Sequence, residues 1–294
     1  MIVDEAFAAL FPKFSSSLAY LTGMAGARIG GSKGDKQAAE TPPLSISDLN
    51  GAMTRITVGW EKAGSLIPKA LIASPLVARY LVGKIPGGGE LLPGLVVPFA
   101  EKDLIGKEGL HSVEYDYEAA YAAMGRKAGE YVRNLMKKGQ YDASGGMVFQ
   151  PDFMRHEDAL SSFTKAYEAE AGADRLSVRI LDPGSLAIDP FGATKDAVAG
   201  MMESGKAVLV VAVDDASAAK DAVAGITAAI VMVDMSTWDD SRSYGISYRY
   251  SIRAEEKSLA NAAKDAATRL AGGQAVPEIT KVPLRFGPTF LKIF

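Results

Sequence analysis

Three stretches of this chain place charged side chains where an apolar run gives way to polar residues. In GGMVFQPDFMRHEDALSSF, Arg155 follows the strand-like run Gly146–Phe149. In KAVLVVAVDDASAA, Asp214 and Asp215 follow a nearly continuous apolar run. In ITAAIVMVDMSTWDD, Asp234 closes a third such run and Trp238 lies shortly after it. A guanidinium is a permanently charged planar fork, suited to bidentate, pre-organised hydrogen bonding. The carboxylates accept from ligand hydroxyls or an amine, and an indole can stack on a ring. The same carboxylates, gathered at adjacent strand ends, also have the chemistry to hold Mg²⁺ in an α/β enzyme. Plainer roles compete. Arg155 could be an exposed loop arginine paired with Glu157 or Asp158, Asp214 and Asp215 are good helix N-caps after a strand, and Trp238 could cover a loop.

Weaker candidates lie at other run ends. Trp60 follows RITVG, Ser74 follows KALIA, and Phe99 and Glu101 follow GLVVP. Tyr248 sits in the alternating segment YGISYRYSIR. Other chemistry is excluded. The chain has no cysteine and only two histidines, so thiol nucleophiles, disulfides and Cys-ligated metals are out, and a multi-histidine site is not expected. His111 and His156 read as structural. Residues Gly30 to Gly34 match a nucleophile elbow in letters alone, with no strand before and no apolar helix after. No phosphate-cradling glycine motif follows a strand. No catalytic residue, metal or cofactor is assigned.

These residues need elements to position them. From about residue 113 the pattern is regular. YDYEAAYAAMGRKAGEYVRNLMKKG has helical periodicity and stops at Gly139, and its aromatic and Met stripe reads as packing against a sheet. GMVFQ, LSVRIL, KAVLVVAV and ITAAIVMVDM read as strands. Helices alternate with them and stop at Gly172 and Gly205. Runs this apolar suit strands buried on both faces of a parallel sheet. The alternation predicts α/β architecture with doubly wound parallel sheets. AEEKSLANAAKDAATRLAGG is a further strong helix. In the first 112 residues SLAYLTG, RITVGW, KALIAS and GLVVPF are plausible strands, and GMAGARIGGSKGDKQAAETPPLS between the first two reads as a long loop.

Bulk properties fit a globular protein. The 294 residues suit two domains of about 100–150 residues, or one large one. Hydrophobic residues are 48% and charged residues 23% of the chain, which is ordinary globular composition. A net charge of -3, from 32 basic and 35 acidic residues, gives no basic excess for nucleic acid. No apolar run approaches the roughly 18 residues of a transmembrane helix. The start, MIVDEAFAALFPKF, has acids where a secretion signal needs a basic segment.

The order of elements resembles a known family. KALIASPLVARYLVGKI, GLVVPFAEKDL and LHSVEYDYEAAYAAMGRKAGEYV resemble the middle of type I periplasmic binding proteins and the related lactose-repressor-like regulators. YSIRAEEKSLANAAKDAATRLAGGQAVPEI resembles that family's return crossing, a hinge strand followed by a helix. The resemblance spans roughly residues 69–285 and does not extend to the first 60. It implies two Rossmann-like lobes joined by a three-stranded hinge, with a ligand cleft between them. Lobe one would be 1–112 plus 250–274, and lobe two 113–249 plus 275–294.

The resemblance also implies roles. Arg155, in RHEDALSSFTKAYE, would meet ligand hydroxyls or carboxylates. Asp214, in VVAVDDASAA, falls where the family places a ligand-contacting amide, and Asp234 would accept from ligand hydroxyls. Glu101 departs from the family's Asp–Arg pair. The implied protein is a solute receptor that captures a sugar, nucleoside or amino-acid-like ligand by hinge closure and serves a membrane transporter permease or a sensor. The expected location is periplasmic or otherwise extracytoplasmic, with lipid anchoring through a cysteine upstream of this sequence. The alternatives are a cytoplasmic location and the carboxylate–Mg²⁺ enzyme around Asp214 and Asp234. A DNA-reading regulator would need a basic helix-turn-helix, for which VDEAFAALFPKF is too short; a regulator's effector domain without its DNA reader is a minor option.

Overall fold

The computed structural model describes residues 1–11, 13–14, 43–52, 54, 69–84, 94–107, 109–152, 154–155, 157–238 and 249–289. The expected strands SLAYLTG and RITVGW, the Gly30 to Gly34 loop, Trp60, His156 and Tyr248 lie outside these residues.

In chain order the elements are α1 (Glu5–Leu10), β1 (Leu71–Ile72), α2 (Pro75–Lys84), β2 (Leu95–Pro98), β3 (Leu110–Asp116), α3 (Tyr117–Lys137), β4 (Gly145–Phe149) and α4 (Glu157–Ala171). Then come β5 (Leu176–Ile180), α5 (Pro183–Ile188), α6 (Pro190–Glu203), β6 (Val208–Ala212), α7 (Ala216–Val223) and β7 (Ile230–Asp234). The chain closes with β8 (Tyr250–Arg253), α8 (Glu256–Ala271), β9 (Ile279–Pro283) and β10 (Arg285–Pro288). They form two compact units, Met1–Glu114 with Glu255–Val282, and Tyr115–Ala254 with Pro283–Phe294. The chain therefore passes between units three times.

The first unit is built on a sheet of order β1-β2-β3-β9, with β1, β2 and β3 parallel. The first residues join it. Ile2 bridges Ala73 in parallel, with Ile2 N–H donating to Ile72 O at 2.9 Å and Ser74 N–H to Ile2 O at 3.1 Å. Ile2, Val77, Leu81, Leu95, Val97 and Leu110 pack as its core. β3 was not expected from the sequence as a strand. Its alternation of buried and half-buried residues suits a strand with one wetter face.

The second unit holds a six-stranded sheet of order β10-β8-β7-β6-β4-β5. All neighbours are parallel except β10 on β8. Every residue of β4 and of β6 is buried, which accounts for their unbroken apolar sequences. β5 is an edge strand and its Ile180 is exposed. The helix stops at Gly172 and Gly205 occur where expected, with φ of 95° and 68°, a conformation that favours glycine. Two assignments differ from the sequence reading. Tyr250–Arg253, read into the first lobe, pairs with β7 and β10 in the second unit. Residues 275–282, read into the second lobe, belong to the first unit, where Ser112 N–H donates to Glu278 O at 2.7 Å.

One packing contact fixes the second unit's helical layer. Buried Gly125 and Gly129 on α3 let α4 approach closely. A Cβ built on Gly125 would lie 2.3 Å from Phe163 O, and one on Gly129 2.7 Å from Tyr167 O. The Gly-x-x-x-Gly spacing puts both on one helix face.

Candidate functional site

The second unit's chain order runs from β4 outward to β5 and returns to β6 on the other side of β4. The sheet therefore has a topological switch between β4 and β6. In open α/β sheets such a switch leaves a crevice beyond the carboxyl ends of the strands, where ligands bind. The residues beyond those ends are Gln150, Asp152 and Arg155 after β4, Asp214 after β6, and Asp234 as the last residue of β7.

The structure brings Arg155, Asp214 and Asp234 together. Arg155 is fully buried. Its Nη2 pairs with Asp214 Oδ1 and lies 2.7 Å from Asp152 Oδ2, while Nε donates to Asp152 Oδ2 at 2.8 Å and lies 3.6 Å from Asp234 Oδ2. The plainer expectation of an exposed arginine paired with Glu157 or Asp158 is thus corrected. The loop that carries Arg155 is folded around Asp152, whose Oδ1 accepts from the backbone N–H groups of Met154 and Arg155, each at 2.6 Å. This short-range carboxylate cap swings the guanidinium back over the strand ends.

Gln150 ties β4 to β6. Its Nε2 donates to Asp214 Oδ2 at 3.0 Å, and its Oε1 accepts from Asp214 N–H at 3.1 Å. Asp234 is fully buried. It accepts from Ser236 N–H on Oδ1 at 2.9 Å and from the Tyr121 hydroxyl on Oδ2 at 2.7 Å. Tyr117, one turn earlier on α3, shares a hydrogen bond of 2.9 Å with Ser236 Oγ. Burial, and then the charge of Asp234, hold both tyrosine hydroxyls well above the usual range, so both are neutral, and Tyr121 is a donor to Asp234. For Arg155, burial opposes the charge. Asp234, Tyr121 and Asp152 outweigh it, and the guanidinium is held protonated more firmly than usual. Its Nη1 is buried and makes no hydrogen bond among the described residues.

Asp152, Gln150, Tyr117 and Tyr121 were not singled out from the sequence. The two tyrosines lie on the stripe read as core packing, and their rings do pack there, Tyr121 edge-on to Phe149, while their hydroxyls reach the polar cluster. Replacing Tyr121 with phenylalanine would strip a donor from buried Asp234. We expect a loss of about 1–3 kcal/mol in denaturant unfolding. An unchanged midpoint would mean that this bond carries no stability.

Other candidates serve packing. Trp238 is a core residue rather than a stacking platform. It is buried among Val211, Val213, Val233 and Met235, and its indole N–H donates to Val213 O at 3.0 Å. Asp215 is the N-cap of α7, accepting from Ser217 and Ala218 N–H. In the first unit, Ser74 is fully buried and donates to Asp4 Oδ2 at 2.6 Å. Phe99 is buried, stacks on Phe11 at 5.3 Å and has φ of 55°, a costly conformation for a non-glycine residue. Glu101 pairs with Arg79 on the surface. His111 Nδ1 lies 3.0 Å from Pro277 O, in keeping with a structural role. A depression of about 440 Å³ lined by Arg179, Ile180, Asp182, Ile188 and Asp196 lies at the β5 edge. It shares no residue with the Arg155 cluster. Among the described residues no group of histidines and carboxylates is placed to hold a metal.

No family model and no curated protein sequence matches the chain. Solved structures do. A protein from Brachyspira murdochii described as an ABC transporter, LacI family transcriptional regulator, aligns with a TM-score of 0.60 at 13% identity, covering 98% of this chain and 92% of that one. A sugar transporter from Clostridium phytofermentans aligns at 0.58 and 12% identity, covering 98% and 97%. A glucose-galactose binding protein from Geobacillus stearothermophilus aligns at 0.57 and 11%, covering 98% and 94%. At these identities the likeness is one of fold, and the fold is that of the type I periplasmic binding proteins.

Proposed function

We propose that this protein is a solute receptor that binds a small polar ligand at the strand ends of its second unit, with Arg155, Asp214 and Asp234 as its contacts there. The observation that carries this reading is Arg155 Nη1, a charged donor buried without an acceptor among the described residues. An unmet buried donor is costly, and a ligand oxygen would meet it. The switch point between β4 and β6 supports the same location. Ligand capture by hinge closure follows from the family resemblance. So do delivery to a membrane permease or sensor and an extracytoplasmic, lipid-anchored location. No described helix is long and apolar enough to cross a membrane. Sugars are the first ligands to try, because structural neighbours include a glucose-galactose binding protein.

The Mg²⁺-enzyme alternative has less support, since Arg155 stands between Asp214 and Asp234 where that reading needs a divalent cation. A melting-temperature panel of sugars, nucleosides, amino acids, Mg²⁺ and Ca²⁺ separates the two. A ligand at one hundred times its dissociation constant adds about 2.7 kcal/mol of stability. We expect an organic solute to raise the melting temperature. A rise with divalent metals alone would favour the enzyme.

A further inference from the structure

The receptor reading leaves open what kind of molecule the site takes, and the charges around Arg155 narrow it. Three carboxylates, Asp152, Asp214 and Asp234, surround one guanidinium. Among the described residues, the ion pairs of these carboxylates are all with Arg155. Counted over the described residues, the cluster thus has two formal negative charges in excess. The three acids are not equally engaged. Asp152 accepts from two backbone N–H groups and from Arg155 Nε, and Arg155 Nη2 lies 2.7 Å from it. Asp234 is buried and holds Tyr121 and Ser236. Among the described residues Asp214 accepts only from Arg155 and Gln150, and its side chain is 39% exposed. It is the carboxylate with accepting capacity to spare. Beside it, on the guanidinium that it pairs with, lies the unpartnered Nη1.

We infer that the ligand is an amino sugar or amino polyol, with its ammonium group on Asp214 and a neighbouring hydroxyl or carbonyl oxygen accepting from Arg155 Nη1. This rests on the solute-receptor reading above. An ammonium group answers the excess charge: on a carboxylate it adds a charge pair to the hydrogen bond, which a neutral hydroxyl does not. A carboxylate or phosphate ligand would bring more negative charge into a cluster that already has too much.

The test is calorimetric titration of the full chain at neutral pH with two matched sets. One is glucose, glucosamine and glucuronate. The other is glycerol, serinol and glycerate. We expect the amine of at least one set to bind roughly tenfold tighter than its neutral counterpart, and the acid weakest. Asp214→Asn keeps the side-chain shape and should remove the preference. A neutral or acidic member binding as tightly as the amine overturns the inference, as does a preference that survives Asp214→Asn or no binding by any member at millimolar concentration. Arg155→Lys separates this failure from that of the receptor reading. A neutral ligand weakened by Arg155→Lys leaves the site standing and sinks the charge inference alone. Binding indifferent to both substitutions removes the site itself.

Discussion

Replacing Arg155 with methionine should lower the unfolding free energy by about 3–5 kcal/mol and abolish ligand binding. The side chain is fully buried and its charge is matched by Asp152, Asp214 and Asp234. Methionine fills much of the volume, so the cost comes from the carboxylates rather than from a cavity. Removing Arg155 leaves Asp234 and Asp152, buried and mostly buried, without a counter-ion, which costs far more than the cluster contributes to stability when whole. A control follows from the same physics. Adding Asp214→Asn and Asp234→Asn to the methionine variant should restore part of the loss, because neighbouring sites in one network are not additive. Denaturant unfolding of the variants measures both effects. A methionine variant as stable as the parent would show that Arg155 is not the counter-ion described here.

The second large effect is Gly125→Ala. The added methyl would lie 2.3 Å from Phe163 O and 3.1 Å from Phe163 C and Cα. Those are backbone atoms of α4 and cannot rotate aside. Overpacking of this kind costs about 1–3 kcal/mol, and more where nothing yields. Equal stability of variant and parent, read from the denaturant midpoint, would contradict the close helix approach.

Much of the fold was legible because burial on both faces leaves a plain mark. β4, β6 and β7 are runs of apolar residues ended by polar ones, and the intervening helices stop at glycines. That placed Arg155, Asp214 and Asp234 at strand ends, which is where they are. Strand order was the harder part. Gln150 and Asp214 are 64 residues apart in sequence and meet only because β6 pairs directly with β4. Asp152 looked like any loop acid until its Oδ1 was seen capping the turn. Tyr117 and Tyr121 carried the signature of core residues because most of each ring is one. A tyrosine buries an apolar body while its hydroxyl seeks a polar partner, and only tertiary structure says where the hydroxyl goes. Trp238 was ambiguous for the same reason, and its indole N–H turned out to be held inside the core by Val213. At the N-terminus, the segment beside β1 is too short for a two-residue period to register. Ile2 joins the sheet through a single bridge.

The most direct measurement is a crystal structure of the full chain with the organic solute that raises its melting temperature most. The account predicts a ligand oxygen within hydrogen-bonding distance of Arg155 Nη1, and a ligand donor on Asp214. A ligand seated elsewhere, for instance in the depression between Arg179 and Asp196, with Nη1 still without a partner, would contradict it.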